Sequence, residues 1–222
     1  MPEYFREDLF QYVGEDRRPP YKWILIGPRR SGSSIHTDPL ETSAWNAVIS
    51  GRKRWVLFPP GTPKSLVKPA AWMAKKDREA IDWFLQHYRT IKESLPAHQQ
   101  PLELITGPGD TIFVPTGWWH TVLNLDDTIA VTQNFVSTTN FPAVWLDSRT
   151  SRTKLSRKWL RELKVVRPDL YNIAQRVAAS GAGEMTAEEH IERILAERKE
   201  KKEAKKERKR QKRERKNSRK ES

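Results

Sequence analysis

His36, Thr37 and Asp38 stand together near the end of a β-rich run, SSIHTD (33–38). In a strand alternate residues share a face, so the spacing predicts that His36 and Asp38 project together. An imidazole and a carboxylate side by side can hold one metal ion, but two ligands leave most of its coordination positions open. A third is needed, and His120, at the end of TIFVPTGWWH (111–120), is the best candidate. Of the other histidines, His87 falls in a helical stretch, His98 in a polar loop and His190 in the C-terminal charged segment. Two histidines and one carboxylate with open positions suit Fe(II) and admit a cosubstrate and then O₂. H-x-D by itself is a short motif that chance produces often, and its weight comes from its surroundings. Here the second histidine follows a strand, a Gly109-Asp110 turn and a Pro-x-Gly-Trp-Trp bend, and Lys53 opens a strand in which a cosubstrate carboxylate can be paired.

These residues need elements to hold them. From Tyr21 to Phe135 the pattern is mainly strand: YKWILI (21–26), SSIHTD (33–38), SAWNAVI (43–49), KRWVLF (53–58), LELIT (102–106), TIFVP (111–115), HTVLNL (120–125) and IAVTQNF (129–135). Ser50-Gly51-Arg52, Gly107-Pro108-Gly109-Asp110 and Asp126-Asp127 supply turns between them. Short strands at this spacing predict an all-β sandwich or barrel. One stretch breaks the pattern. AAWMAKKDREAIDWFLQHYRTI (70–91) has helical spacing, with Trp72, Ile81, Phe84, Leu85 and Tyr88 as expected buried positions, and reads as a helical insertion over about 61–100. Past Phe141-Pro142 the chain turns helical, with amphipathic segments at 155–166 and 168–179 and a break expected at Ser180–Gly183. Thr186 and Glu189 form a capping box for one further helix. The expected organisation is a lead-in (1–20), a mainly β domain (21–147), a C-terminal helical region (148–183) and a charged helical or disordered tail (184–222).

The run GDTIFVPTGWWH (109–120), with HTDP (36–39) and GRKRWVLFPP (51–60) before it, resembles the jumonji-C family of 2-oxoglutarate-dependent oxygenases. DLFQYVGEDRRPPYKW (8–23), GWWHTVLNLDDTIAVTQNF (117–135) and TNFPAVW (139–145) extend the likeness over roughly residues 4–175, least well across 61–100. The likeness is closer still to the branch that hydroxylates lysine and demethylates arginine. The resemblance implies a double-stranded β-helix of jelly-roll type. It implies that His36, Asp38 and His120 hold Fe(II), that Lys53 pairs with the distal carboxylate of 2-oxoglutarate, and that Asn46 and Thr132 make further contacts to it. Ser33 takes a place where the family has threonine, and Asn134 lies on the same strand face as Thr132. The implied reaction is hydroxylation of lysine side chains in Arg/Ser-rich splicing proteins, with demethylation of arginine in histone tails as the second activity. The family carries an upstream region with supporting strands and a tyrosine that contacts 2-oxoglutarate. Its absence from this sequence leads to an expectation of exposed sheet edges and weakened cosubstrate binding.

Composition adds limits. The chain has 222 residues and a net charge of +13. Residues 198–222 hold 15 basic and 5 acidic residues, so +10 of that charge is in the tail and +3 in the rest. All nine tryptophans lie between Trp23 and Trp159. With no cysteine there is no disulfide, thiolate nucleophile or Cys-ligated metal. No stretch approaches the roughly 18 apolar residues of a membrane-spanning helix, and the N-terminus lacks an apolar signal core. No membrane partner is expected, and an intracellular, nuclear location is. KKEAKKERKRQKRERK (201–216) has the composition of a nuclear-import signal or an RNA-binding arm. It has no aromatic residue to stack on bases, so any RNA binding is expected to be non-specific and salt-sensitive. The competing reading of the whole chain is a weakly active scaffold that binds RNA or RNA-processing proteins through this tail.

Overall fold

A computed structural model of the chain describes residues 3–182. The Thr186/Glu189 capping box and the basic tail lie outside the described residues. The chain divides into two compact units, Met1–Val144 and Trp145–Ser222.

In the first unit, eight strands form: β1 (Lys22–Gly27), β2 (Gly32–His36), β3 (Ser43–Ser50), β4 (Lys53–Phe58), β5 (Leu102–Thr106), β6 (Thr111–Val114), β7 (Trp119–Asn124) and β8 (Thr128–Phe135). They build two antiparallel four-stranded sheets, ordered β1-β8-β3-β6 (sheet I) and β2-β7-β4-β5 (sheet II). The strands match the expected runs to within a residue or two, but the two sheets do not close into a barrel. Ala44, Ile112 and Val114 of sheet I and Trp55, Leu57 and Val122 of sheet II share one apolar cluster between them. Trp118 packs against that cluster as well. This is a jelly-roll arrangement, a pair of sheets with their inner faces together.

The outer faces differ. On sheet II, Ile35, Val56, Phe58 and Leu123 are covered by Val67, Trp72, Trp83, Phe84, Tyr88 and Ile91 of the insertion. On sheet I, Phe5 of the lead-in stacks on Trp45 and Phe113, while Ile24 and Ile26 remain 72% and 78% exposed.

The insertion departs from the expected single helix. It holds α1 (Lys64–Val67), α2 (Ala70–Met73), α3 (Ala80–Trp83) and α4 (Arg89–Ser94), with a π-helical turn at Phe84–Tyr88 joining the last two. The break between α2 and α3 falls on Lys75-Lys76-Asp77-Arg78-Glu79, five charged residues with no apolar face to bury. The π turn carries an extra residue and rotates the helix face. Phe84 and Tyr88 are buried, while Leu85, expected inside, is 70% exposed. Trp119 also packs on this insertion.

Helix α5 (Phe141–Ser151) spans the division between the units, and the second unit continues with α6 (Thr153–Val166) and α7 (Pro168–Ala182). Leu155, Trp159, Leu160 and Leu163 give α6 one buried stripe. Trp145 Nε1 donates to Ala174 O of α7 at 3.1 Å. Helix α7 runs through Ser180 and Gly181, where a break was expected. A glycine near a helix end costs only about 1 kcal/mol, too little to stop a helix that is otherwise packed.

Candidate active site

The pairing of β2 with β7 sets His36 directly opposite His120. The ring centroids are 4.2 Å apart. Reaching this register takes a bulge, because Ser33, three residues before His36 on β2, pairs with Val122, only two residues beyond His120 on β7. The extra residue lets both Ser33 and His36 face the space between the sheets while Ile35, 1% exposed, turns into the outer core. Close approach of the two strands also fixes Gly32, where a Cβ would lie 1.9 Å from Val122 O. Strand β2 ends at His36, so Asp38 is not held there by strand alternation. It is extended (φ −64°, ψ 144°) and leads into the turn Pro39–Glu41. Leu40 and Glu41 in that turn both have positive φ, a strained arrangement for residues with a Cβ. Glu41 O accepts from Thr116 Oγ1 (2.9 Å), and Thr42 Oγ1 donates to Pro39 O (2.8 Å).

The outcome is a compact donor set. One ligand atom each from His36, Asp38 and His120 lie within 4.8 Å of one another. His36 Nδ1 donates to Ser34 O (2.7 Å) and His120 Nδ1 to Trp118 O (3.1 Å). Since a carbonyl can only accept, each ring carries its proton on Nδ1 and keeps the Nε2 lone pair for a ligand. Burial, with the neighbouring His36 second, holds His120 well below the ordinary imidazole pKa, so it stays neutral. Asp38 Oδ2 is buried with no hydrogen-bond partner. A buried carboxylate oxygen without a partner beside two aimed lone pairs fits a divalent cation, and nitrogen and oxygen donors with open positions suit Fe(II).

Lys53 lies on the same inner face. Strands β4 and β7 pair Leu57 with His120 and Lys53 with Asn124, which sets Lys53 four residues, about 13 Å, along the strand from the histidine row. Its side chain is 4% exposed. Its Nζ donates to Asn124 Oδ1 (2.7 Å) and Thr128 Oγ1 (3.2 Å). Burial lowers its pKa, and no carboxylate among the described residues pairs with it.

One cavity of about 340 Å³ is lined by His36, Asp38, His120, Lys53, Asn46, Thr132, Ser33 and Asn134. All eight residues singled out in the sequence therefore meet there. Trp23, Leu25, Trp55, Val114 and Val122 supply apolar wall. Within it, Asn46 Oδ1 is buried without a partner. Thr132 Oγ1 donates to Trp45 O (2.7 Å), and Asn134 Nδ2 donates to Thr42 Oγ1 (2.9 Å). The sequence reading missed Asn124 and Thr128, the two residues that hold Lys53. A signal was available for Asn124: it follows His120 by four residues in a period-two strand, and so shares its face.

Residues 23–135 match the JmjC domain family of hydroxylases. This chain belongs to the JmjC-domain hydroxylase family. The match runs from Trp23, the second residue of β1, to the end of β8. Among relatives, it is 47% identical over 175 residues to the bifunctional arginine demethylase and lysyl-hydroxylase psr-1 of Caenorhabditis elegans, covering 78% of this chain and 44% of that protein. It is 49% identical over 142 residues to the arginine-specific demethylase JMJ22 of Arabidopsis thaliana (63% and 28%). It is 30% identical over 202 residues to the 2-oxoglutarate and iron-dependent oxygenase JMJD4 of mouse (90% and 46%). The chain thus spans less than half the length of each of these relatives.

Proposed function

We propose that this chain is an Fe(II)- and 2-oxoglutarate-dependent protein hydroxylase acting on lysine side chains, with demethylation of methylated arginine as a second activity of the same centre. The observation that carries this reading is the single cavity with a two-histidine, one-carboxylate set at one end and a buried, counter-ion-free lysine at the other. In this reading His36, Asp38 and His120 hold the iron. When bound, the iron supplies the oxidising chemistry that consumes O₂ and 2-oxoglutarate, releases succinate and CO₂, and places one oxygen atom in a C–H bond of the substrate. The backbone carbonyls of Ser34 and Trp118 fix the two imidazoles so that both Nε2 atoms are ready without rearrangement. Lys53 receives the far carboxylate of 2-oxoglutarate and so sets its distance from the metal end. Asn46, Ser33, Thr132 and Asn134 line the path between. Trp23, Trp55, Val114 and Val122 keep that path poor in water, which strengthens the charge pairing at Lys53.

The names of the relatives support protein substrates, lysine in one and arginine in two. We further propose lysines of Arg/Ser-rich splicing proteins, and histone tails, as the substrates, and a nuclear location directed by the basic tail. The same tail would bind RNA through phosphates alone.

The decisive measurement is 2-oxoglutarate turnover to succinate by anaerobically Fe(II)-loaded protein, with lysine-rich peptides and with His36→Ala and Lys53→Ala as controls. The reading expects Fe(II)-dependent succinate that both variants lose. Its absence from wild type under all peptide conditions would sink the enzyme and leave the scaffold reading in its place. Cytoplasmic retention of the intact chain would overturn the nuclear proposal. An RNA shift that survives deletion of 198–222 would overturn RNA binding by the tail.

A further inference from the structure

Lys53 has three N–H donors. Two are taken inside the protein, by Asn124 Oδ1 and Thr128 Oγ1. One remains for the cavity that Lys53 lines. Neither internal acceptor is charged. The ammonium is therefore held firmly, with its charge uncompensated among the described residues.

The geometry of Asn124 makes this arrangement specific. Its Nδ2 donates to Ser31 Oγ (2.9 Å) and weakly to Pro28 O (3.5 Å). Ser31 Oγ in turn donates to Pro28 O (2.6 Å), so it can only accept from Asn124. The amide orientation is thereby fixed, and Oδ1 must face Lys53. Room for this amide depends on Gly27 of β1. A Cβ there would lie 2.7 Å from Ser31 Oγ and 2.8 Å from Asn124 Nδ2. Asn124 is itself 4% exposed and does not line the cavity. It would reach a ligand only through Lys53.

We infer that Asn124 is a positioning residue that sets cosubstrate selectivity, holding the Lys53 ammonium with one donor toward the cavity and no resident counter-ion, so that a 2-oxo acid binds well only if its far end is a carboxylate. This rests on the reading of the cavity as a 2-oxoglutarate site. A neutral amide is essential to it. An acidic residue at the same place would hold Lys53 equally well but would neutralise it, and the ligand's charge would gain nothing.

The test is calorimetric binding of 2-oxoglutarate and of 2-oxopentanoate to the Mn(II)-loaded full chain without O₂. The second ligand has a methyl group in place of the far carboxylate. Wild type is expected to prefer 2-oxoglutarate by roughly a hundredfold or more, the range for a desolvated charge pair. Asn124→Asp should reduce that preference by at least about tenfold through weaker 2-oxoglutarate binding, with 2-oxopentanoate and Mn(II) affinities unchanged. Gly27→Ala, which displaces the amide without adding charge, should weaken 2-oxoglutarate binding and spare 2-oxopentanoate. A purely structural role would weaken both ligands together, and that result overturns the inference. So does an Asn124→Asp protein that binds Mn(II) and keeps the wild-type preference. If Asn124→Asp does not fold, Gly27→Ala decides by the same ratio. Wild type that binds Mn(II) but neither ligand would overturn the 2-oxoglutarate reading, and this inference with it.

Discussion

The two ends of the cavity are built on opposite principles. At the metal end, donor atoms of His36, Asp38 and His120 converge within 4.8 Å, and Asp38 Oδ2 has no partner of its own. At the lysine end, Lys53 Nζ already has two hydrogen bonds, yet it has no negative charge beside it among the described residues. The first end is short of hydrogen-bond partners and the second is short of charge. An unpaired buried carboxylate oxygen is satisfied by a cation, and a hydrogen-bonded but unneutralised ammonium by an anion. The site is therefore polarised before anything binds. It suits a metal at one end and, in the proposed reading, an acid at the other, with apolar walls between them that would favour one molecule bridging both.

Breaking the metal end should give the largest effect. Asp38→Ala removes the only carboxylate of the donor set, leaving two imidazoles 4.2 Å apart between centroids. Loss of a residue that merely supports a ligand costs roughly 10–100-fold in metal affinity, so loss of a ligand should cost more than about 100-fold. Thermal unfolding checks it. Mn(II) or Co(II) should raise the Tm of wild type and leave that of Asp38→Ala unmoved. A normal metal-induced rise in the variant would remove the metal end from the comparison.

Breaking the lysine end comes next. Lys53→Met keeps the volume and removes the charge. The 2-oxoglutarate Kd should rise a few hundredfold or more, from the roughly 3–5 kcal/mol lost when one partner of a buried pair is removed. Metal-induced stabilisation should persist, and that is what separates the two ends. The apo protein should respond in the opposite sense. A buried cation without a counter-ion opposes folding, so Lys53→Met should leave the metal-free chain as stable as wild type or more so. The sign with pH follows from the lowered pKa of Lys53. Between its folded pKa and the unfolded lysine value the unfolded chain binds more protons, so wild-type stability gains as pH rises through that window. The Tm advantage of apo Lys53→Met should therefore shrink on going toward pH 10. A constant difference across that range would show that Lys53 is not desolvated in solution.

Much of this was legible in the sequence because strands keep a simple period. The eight strands follow from alternation and turn residues, and the grouping of His36, Asp38 and His120 is suggested by motif spacing, whereas Asn46, Thr132 and Ser33 are pointed to only by the family resemblance. What escaped was register and count. Ser33 and His36 have opposite parity, and only the bulge in β2 lets both face inward. The π turn at Phe84–Tyr88 did the same to the insertion, sending Leu85 outward. In each place one extra residue changes every facing beyond it, and no composition signal marks it. Asn124 and Thr128 escaped for another reason. Asn124 serves Lys53 across the β4–β7 pair and Thr128 reaches it from the other sheet, and such partners are fixed by the assembled sheets rather than by neighbours along the chain.

The smallest expected effect lies between the ends, at Thr132. The family resemblance gives it a contact to 2-oxoglutarate, but its hydroxyl already donates to Trp45 O at 2.7 Å. A carboxylate can only accept, so Thr132 could bond one only by releasing Trp45 O. That exchange swaps one hydrogen bond for another and gains little. Thr132→Val keeps the shape and deletes the hydroxyl. It should lower stability by about 1 kcal/mol, the net worth of one neutral hydrogen bond, because the Trp45 carbonyl loses its donor. The 2-oxoglutarate Kd should change by no more than about fivefold, the equivalent of one such bond. Chemical denaturation and calorimetry on the same variant separate the two quantities. If Thr132→Val leaves stability untouched and weakens binding as much as Lys53→Met, the anchoring of the acid is shared along the strand, and the division of the cavity into a metal end and a lysine end is too sharp.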